Sequence, residues 1–145
     1  AYEIKECDWS SDVCSSDLFC DYLIVAIQVD PTTDRPNTKN KPVMSMYERY
    51  MCVSACKYVD EVIVYHTEEE LLNILKTIHI DIRFLGDEYK RKDFTGKQWC
   101  LDRGIELHYH EREHPYSSSS LRKRVWGAEE KRLDALKQDY DECKK

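Results

Sequence analysis

Four clusters of residues have types that could do chemistry. Ser117, Ser118, Ser119 and Ser120 form an unbroken run directly before the apolar-periodic segment that starts at Leu121. Serines at a helix start offer hydroxyls and unpaired backbone N–H groups to an anion, in the favourable field of the helix dipole. The plain alternative is that they only cap the helix. Asp87 and Glu88, followed by Tyr89, come directly after an apolar run that ends at Gly86. That is the carboxyl end of a predicted strand, where open α/β sheets receive ligands. His108, His110 and His114, in "HYHEREH", have no cysteine pair nearby, so surface or core histidines suit them better than metal ligands. Cys52 and Cys56 lie at i, i+4 on one helical face, a spacing that suits packing.

The elements that must position these groups alternate between strand and helix. "YLIVAIQV" (22–29) is a nearly continuous apolar run, the pattern of a strand buried on both faces of a parallel sheet. Residues 30–43, "DPTTDRPNTKNKPV", hold three prolines and form a loop. Ser45 and Glu48 make a capping box for a helix in which Tyr47, Tyr50, Met51, Ser54 and Tyr58 recur at helical spacing. "EVIVY" (61–65) is a strand. Thr67 and Glu70 read as a second capping box, opening a helix striped by Leu71, Leu72, Leu75 and Ile78. "DIRFLG" (81–86) is a strand and 87–97 a charged loop. A short helix over 98–103 stops at Gly104, and "IELHY" (105–109) is a strand. A C-terminal helix starts in the serine run, is interrupted at Gly127 and continues as an amphipathic tail. The alternation predicts a doubly wound, Rossmann-like α/β domain with a parallel sheet and right-handed crossovers.

Length and composition bound the function. At 145 residues the chain suits one domain, and a net charge of −6 argues against non-specific nucleic-acid binding. No apolar run is long enough to span a membrane, and no signal-peptide pattern opens the chain. Seven cysteines, an odd number with no Cys-x-x-Cys spacing, fit a reduced, cytoplasmic protein.

Three blocks in order carry a family resemblance. They are "DYLIVAIQVD" (21–30), "YERYMCVSACKYVDEVI" (47–63), and "FLGDEY" (84–89) with "REHPYSSSSL" (112–121). Together they resemble the cytidylyltransferase family, most closely its glycerol-3-phosphate type, over the span from Cys20 to about Val125. The resemblance implies CMP transfer from CTP to a phosphorylated polyol with release of pyrophosphate, and Mg²⁺ accompanying the triphosphate. It places Lys39 and Lys41 on a loop that closes over the phosphates, and Arg112 with Ser117, Ser118 and Ser119 at the triphosphate. Asp87 and Glu88, or Tyr89, then lie near the cytosine or ribose, and Arg49 points toward the substrate. Against the family pattern, Ser118-Ser119 stand for Thr-Thr, and His114-Pro115 for Glu-Gly, which stiffens that turn. An adenylyltransferase of the same superfamily and a non-catalytic nucleotide-binding module remain as alternatives.

One family block is missing. The family opens with a strand and a Gly-x-Phe-Asp-x-x-His-x-Gly-His motif, whose histidines would stabilise the α-phosphate. Residues 1–19 hold that place instead, and "DWSSDVCSSDLF" (8–19) repeats Ser-Ser-Asp five residues apart. Residues 1–18 resemble the conceptual translation of a sequencing adapter, and the chain begins with alanine, as a fragment would. The expected organisation is therefore a non-native segment at 1–19, a truncated cytidylyltransferase-like domain at 20–126 and a helical tail at 127–145. The expected consequences are an irregular 1–19 and an inactive chain. The tail after Trp126 has two readings, a homodimer element or a solvated helix.

Overall fold

A computed structural model describes residues 2–6, 20–110 and 118–142. Its strands are β1 (Tyr2–Glu6), β2 (Tyr22–Gln28), β3 (Glu61–Tyr65), β4 (Ile82–Gly86) and β5 (Glu106–His110). They pair in parallel as one sheet in the order β3-β2-β1-β4-β5. The helices are α1 (Met46–Ser54), α2 (Glu68–Thr77), α3 (Lys97–Asp102) and α4 (Ser118–Glu142), with a 3₁₀ turn at Asp87–Arg91. The chain divides into two compact units, residues 1–112 and 113–145. The expected doubly wound α/β class is the class observed.

The irregular segment predicted over 1–19 is corrected for residues 2–6. These residues form β1, in register with β2 from Tyr2 opposite Tyr22 to Glu6 opposite Ala26, and with β4 from Glu3 opposite Ile82 to Lys5 opposite Phe84. The reason lies in the neighbours. Residues 23–27 of β2 and 83–85 of β4 are buried, and a gap between those strands would leave buried backbone donors and acceptors unpaired.

β2 sorts its side chains by the two-residue strand period. Ile24 and Ala26 join Tyr65, Leu71, Leu75 and Ile80 in a core under α2, while Leu23, Val25 and Ile27 join Val53 in a core under α1. The two helices thus cover opposite faces of the sheet. The Asp60 carboxylate accepts from Leu23 N at 2.7 Å, and Asp60 N donates to Leu23 O at 3.0 Å, which locks the start of β2 to the approach of β3.

Local cap chemistry shapes the helix ends. The Ser45–Glu48 capping box is reciprocal. The second box is not: Thr67 Oγ1 accepts from Glu70 N, but the Glu70 carboxylate reaches past Thr67 to His66 N at 2.6 Å. α1 turns Met46, Arg49 and Val53 inward, whereas Tyr47, Tyr50, Met51 and Ser54 face solvent. The interruption predicted at Gly127 does not occur, and α4 runs through it. A helix-interior glycine costs about 1 kcal/mol relative to alanine. Strong helix formers on both sides and the i, i+3 pairs Arg132–Glu129 (2.9 Å) and Lys137–Asp134 (3.5 Å) offset that.

Gly96 opens α3 with φ +77°, and a Cβ there would lie 2.5 Å from Leu75 Cδ1 and 3.1 Å from Arg83 Nη1. Gly104 has φ +70° but open space around it. Gly96→Ala should therefore lower unfolding free energy by about 2 to 3 kcal/mol, and Gly104→Ala by only about 1 kcal/mol, in urea titrations. Equal losses would show that Leu75 yields its space at no cost.

Candidate functional site

The sheet order places a topological switch between β1 and β4, because the chain steps from β1 out to β3 and then returns to the other side of β1. Ligands of open α/β sheets bind outside the strand carboxyl ends at such a point. Two described loops rise from this edge, residues 29–45 after β2 and 87–96 after β4.

Loop 29–45 is fastened at its base. Arg49, one turn into α1, sends its guanidinium back to the end of β2, where Nη1 donates to Gln28 O at 2.7 Å and Nη2 to Val29 O. Its Nε is buried with no hydrogen-bond partner among the described residues. Burial works against the Arg49 charge, and the nearby Asp30 carboxylate favours it. Asp30 Oδ1 accepts from the Thr32 hydroxyl at 2.6 Å and from Thr32 N at 2.9 Å. These two bonds, and after them the charges of Lys41 and Arg49, hold the Asp30 carboxyl below its ordinary value.

A second set of bonds ties this loop to the rest of the edge. Gln28 Nε2 donates to Asp34 Oδ2 at 3.0 Å, and Gln28 Oε1 accepts from Arg35 at 3.0 Å. Asp34 Oδ2 also accepts from Glu68 N, at the first turn of α2, at 3.0 Å. Arg35 forms an ion pair with Glu68 Oε1 at 2.6 Å, while Glu68 Oε2 accepts from the Thr95 hydroxyl. Arg35, Glu68 and Thr95, with Tyr89, Asp93 and Phe94, line a cleft of about 160 Å³. Beneath it Arg83, 1% exposed on β4, donates to Thr95 O at 2.6 Å and lies 5.1 Å from the Phe94 ring.

The residues singled out from sequence divide by place. Lys39 and Lys41 are exposed on loop 29–45, and Asp87 is exposed at the start of the 3₁₀ turn after β4. Arg49 lies at the base of the same loop, so these four share one edge of the sheet. Ser119 is exposed in the first turn of α4, within the second unit. Ser118 is the first residue of α4, and its side chain lies outside the described residues, as do Arg112, His114 and Ser117. His110 is buried and stacked on Phe84 at 4.8 Å, with His108 4.9 Å from the same ring. Cys56 packs against the core under α1.

Sequence reasoning missed the Gln28, Asp34, Arg35, Glu68 and Thr95 network and the buried Arg83. Opposite charges side by side at Asp34-Arg35, between two prolines, are the one local signal for it.

Two outcomes follow. Arg49→Leu leaves the carbonyls of Gln28 and Val29 without their donor, and should cost about 1 to 3 kcal/mol and speed amide exchange in loop 29–45. Unchanged exchange there would mean that the loop holds its base without Arg49. Asp30 is depressed in the folded state, so its contribution is present above the ordinary carboxyl value of 3.8 and is lost as pH falls through its folded value. Thr32→Val removes the larger cause, and carbon-detected NMR titration should find the Asp30 midpoint moved up toward 3.8. An unmoved midpoint would show that the hydroxyl plays no part.

Known proteins resemble this chain. A solved lipopolysaccharide core biosynthesis protein from Thermoplasma volcanium GSS1 superposes with a TM-score of 0.57 at 22% identity, covering 79% of this chain and 98% of that one, a likeness of fold. Mouse ethanolamine-phosphate cytidylyltransferase is 40% identical over 97 residues, 59% of this chain and 24% of the relative. The bifunctional protein HldE of Nitrobacter winogradskyi is 28% identical over 109 residues, 75% of this chain and 22% of the relative. The chain thus spans about a quarter or less of the length of these curated relatives. The family model described as cytidylyltransferase-like matches residues 16–124, from the approach to β2 through the first turns of α4. With that match lying over a parallel sheet whose loops converge at its switch point, the chain belongs to the cytidylyltransferase-like family.

Proposed function

We propose that this chain is the nucleotidyltransferase part of an enzyme that moves CMP from CTP to the phosphate of a small alcohol, of which glycerol 3-phosphate is the model. The observation that carries this reading is the shared edge at the β1/β4 switch. There the loop bearing Lys39 and Lys41, the turn bearing Asp87 and the Arg49 anchor stand together. An oxygen of the acceptor phosphate attacks the α-phosphorus in line, the bond to the β-phosphate oxygen breaks, and pyrophosphate leaves with that electron pair. Such a reaction asks the protein to position groups and neutralise charge. Lys39 and Lys41 close over the phosphates from an exposed loop. The family pattern assigns Arg112, Ser117, Ser118 and Ser119 to the triphosphate and Asp87 to the ribose or base. Arg49 serves the acceptor side as a positioning residue, since two of its nitrogens already hold the loop base.

Mg²⁺ suits this site as an ion brought by the triphosphate. Among the described residues no group of three or more His, Cys, Asp or Glu is gathered to hold a metal. Asp30 already has Oδ1 engaged, leaving Asp87 as an exposed carboxylate at the edge. Few protein carboxylates with phosphate and water oxygens is the usual donor set for Mg²⁺, which supplies charge neutralisation when bound.

The histidine pair of the family motif does not occur in this sequence, and residues 1–19 stand in its place. The chain as written should therefore bind CTP and turn over about 10²- to 10⁴-fold more slowly than a chain with the pair. The test is pyrophosphate release from CTP, offered glycerol 3-phosphate or ethanolamine phosphate. It compares this chain with a variant whose residues 1–19 are replaced by a strand and Gly-x-Phe-Asp-x-x-His-x-Gly-His. The variant should release pyrophosphate and prefer CTP to ATP. Preference for ATP would favour an adenylyltransferase. A folded variant that binds CTP and releases nothing would leave a nucleotide-binding module, the reading that the missing histidines favour.

A further inference from the structure

The described part of the second unit is α4, 25 residues long and strongly polar. Leu121 and Val125 in its first half are exposed, and an apolar stripe follows: Trp126, Leu133, Leu136 and Tyr140 are 71%, 46%, 54% and 60% exposed. Their separations of seven, three and four residues are those of a heptad seam, which places them along one side of a helix. Glu129 interrupts the stripe, but Arg132 holds its carboxylate through two nitrogens, at 3.1 and 2.9 Å. Trp126, Leu133 and their polar neighbours Glu130, Asp134 and Lys137 border a groove of about 230 Å³, room for a side chain from a facing helix.

The charges along α4 say which helix that would be. Residues 121–132 carry five basic and two acidic residues, and residues 133–142 carry one basic and four acidic. One half of the helix is thus net positive and the other net negative by the same amount. Two copies laid antiparallel bring unlike halves together and bury both stripes, whereas a parallel pair sets like charges side by side. A two-fold interface of this kind needs only one self-complementary surface.

We infer that α4 is a self-association surface, pairing antiparallel with α4 of a second copy of this chain. The inference is independent of the nucleotidyl-transfer reading. It is tested by sedimentation equilibrium of the full chain at several protein and salt concentrations. The chain should sediment as a dimer at tens of micromolar. Leu133→Gln with Leu136→Gln, which keeps helix-forming residues at exposed positions, should weaken the dimer at least tenfold with the circular dichroism spectrum unchanged. Raising salt from 50 to 500 mM should also weaken the wild-type dimer, because unlike halves attract. A monomer at 100 µM, or a dimer indifferent to the double substitution, would overturn the assignment. Tightening with salt would overturn the antiparallel arrangement.

Discussion

The fold depends on satisfying the backbone of two buried strands. β2 and β4 are covered on both faces, and they do not touch each other: the strand between them is what gives their inner N–H and C=O groups partners. An unpaired buried backbone group costs about 1 to 3 kcal/mol, so a gap along several residues would exceed the net stability of a small domain. That demand is strong enough to recruit "YEIKE", a segment of modest strand character, into the centre of the sheet. It also fixes where chemistry can occur, because the same strand marks the point at which the connections change direction.

Electrostatics at the carboxyl edge follows from how its loops are held. Charged side chains there mostly bond to backbone or to one another: Arg49 to two carbonyls, Asp30 to a neighbouring threonine, and Arg35 to Glu68. Lys39 and Lys41 lie on the exposed stretch of loop 29–45, and the Lys41 charge acts on Asp30.

What could be read from the sequence was whatever depends on near neighbours or on strong periodicity. β2 announced itself by an apolar run, α1 by Ser45 and Glu48, and the end of α3 by Gly104. The orientation of α1 was harder, because it has two apolar stripes and only contact with Val25 and Ile27 decides which one turns inward. Arg83 was invisible for a different reason. A charge inside a buried strand is acceptable only when a carbonyl such as that of Thr95, twelve residues away, comes to meet it. The bonds joining Gln28, Asp34, Arg35, Glu68 and Thr95 link four separate segments, and their geometry exists only after the sheet has formed.

Glu68 gives this edge a property that neither loop has alone. One of its carboxylate oxygens holds Arg35, on the loop after β2, and the other accepts from Thr95, on the loop after β4. Whatever shifts Arg35 changes the charge that Thr95 meets, and the reverse is equally true. Two loops sharing one carboxylate are thermodynamically coupled, and such coupling is reciprocal. A ligand of one loop must change the affinity for a ligand of the other by the same factor as the reverse. Two ligands meeting different loops would then sense each other through Glu68, without any movement of the sheet beneath them.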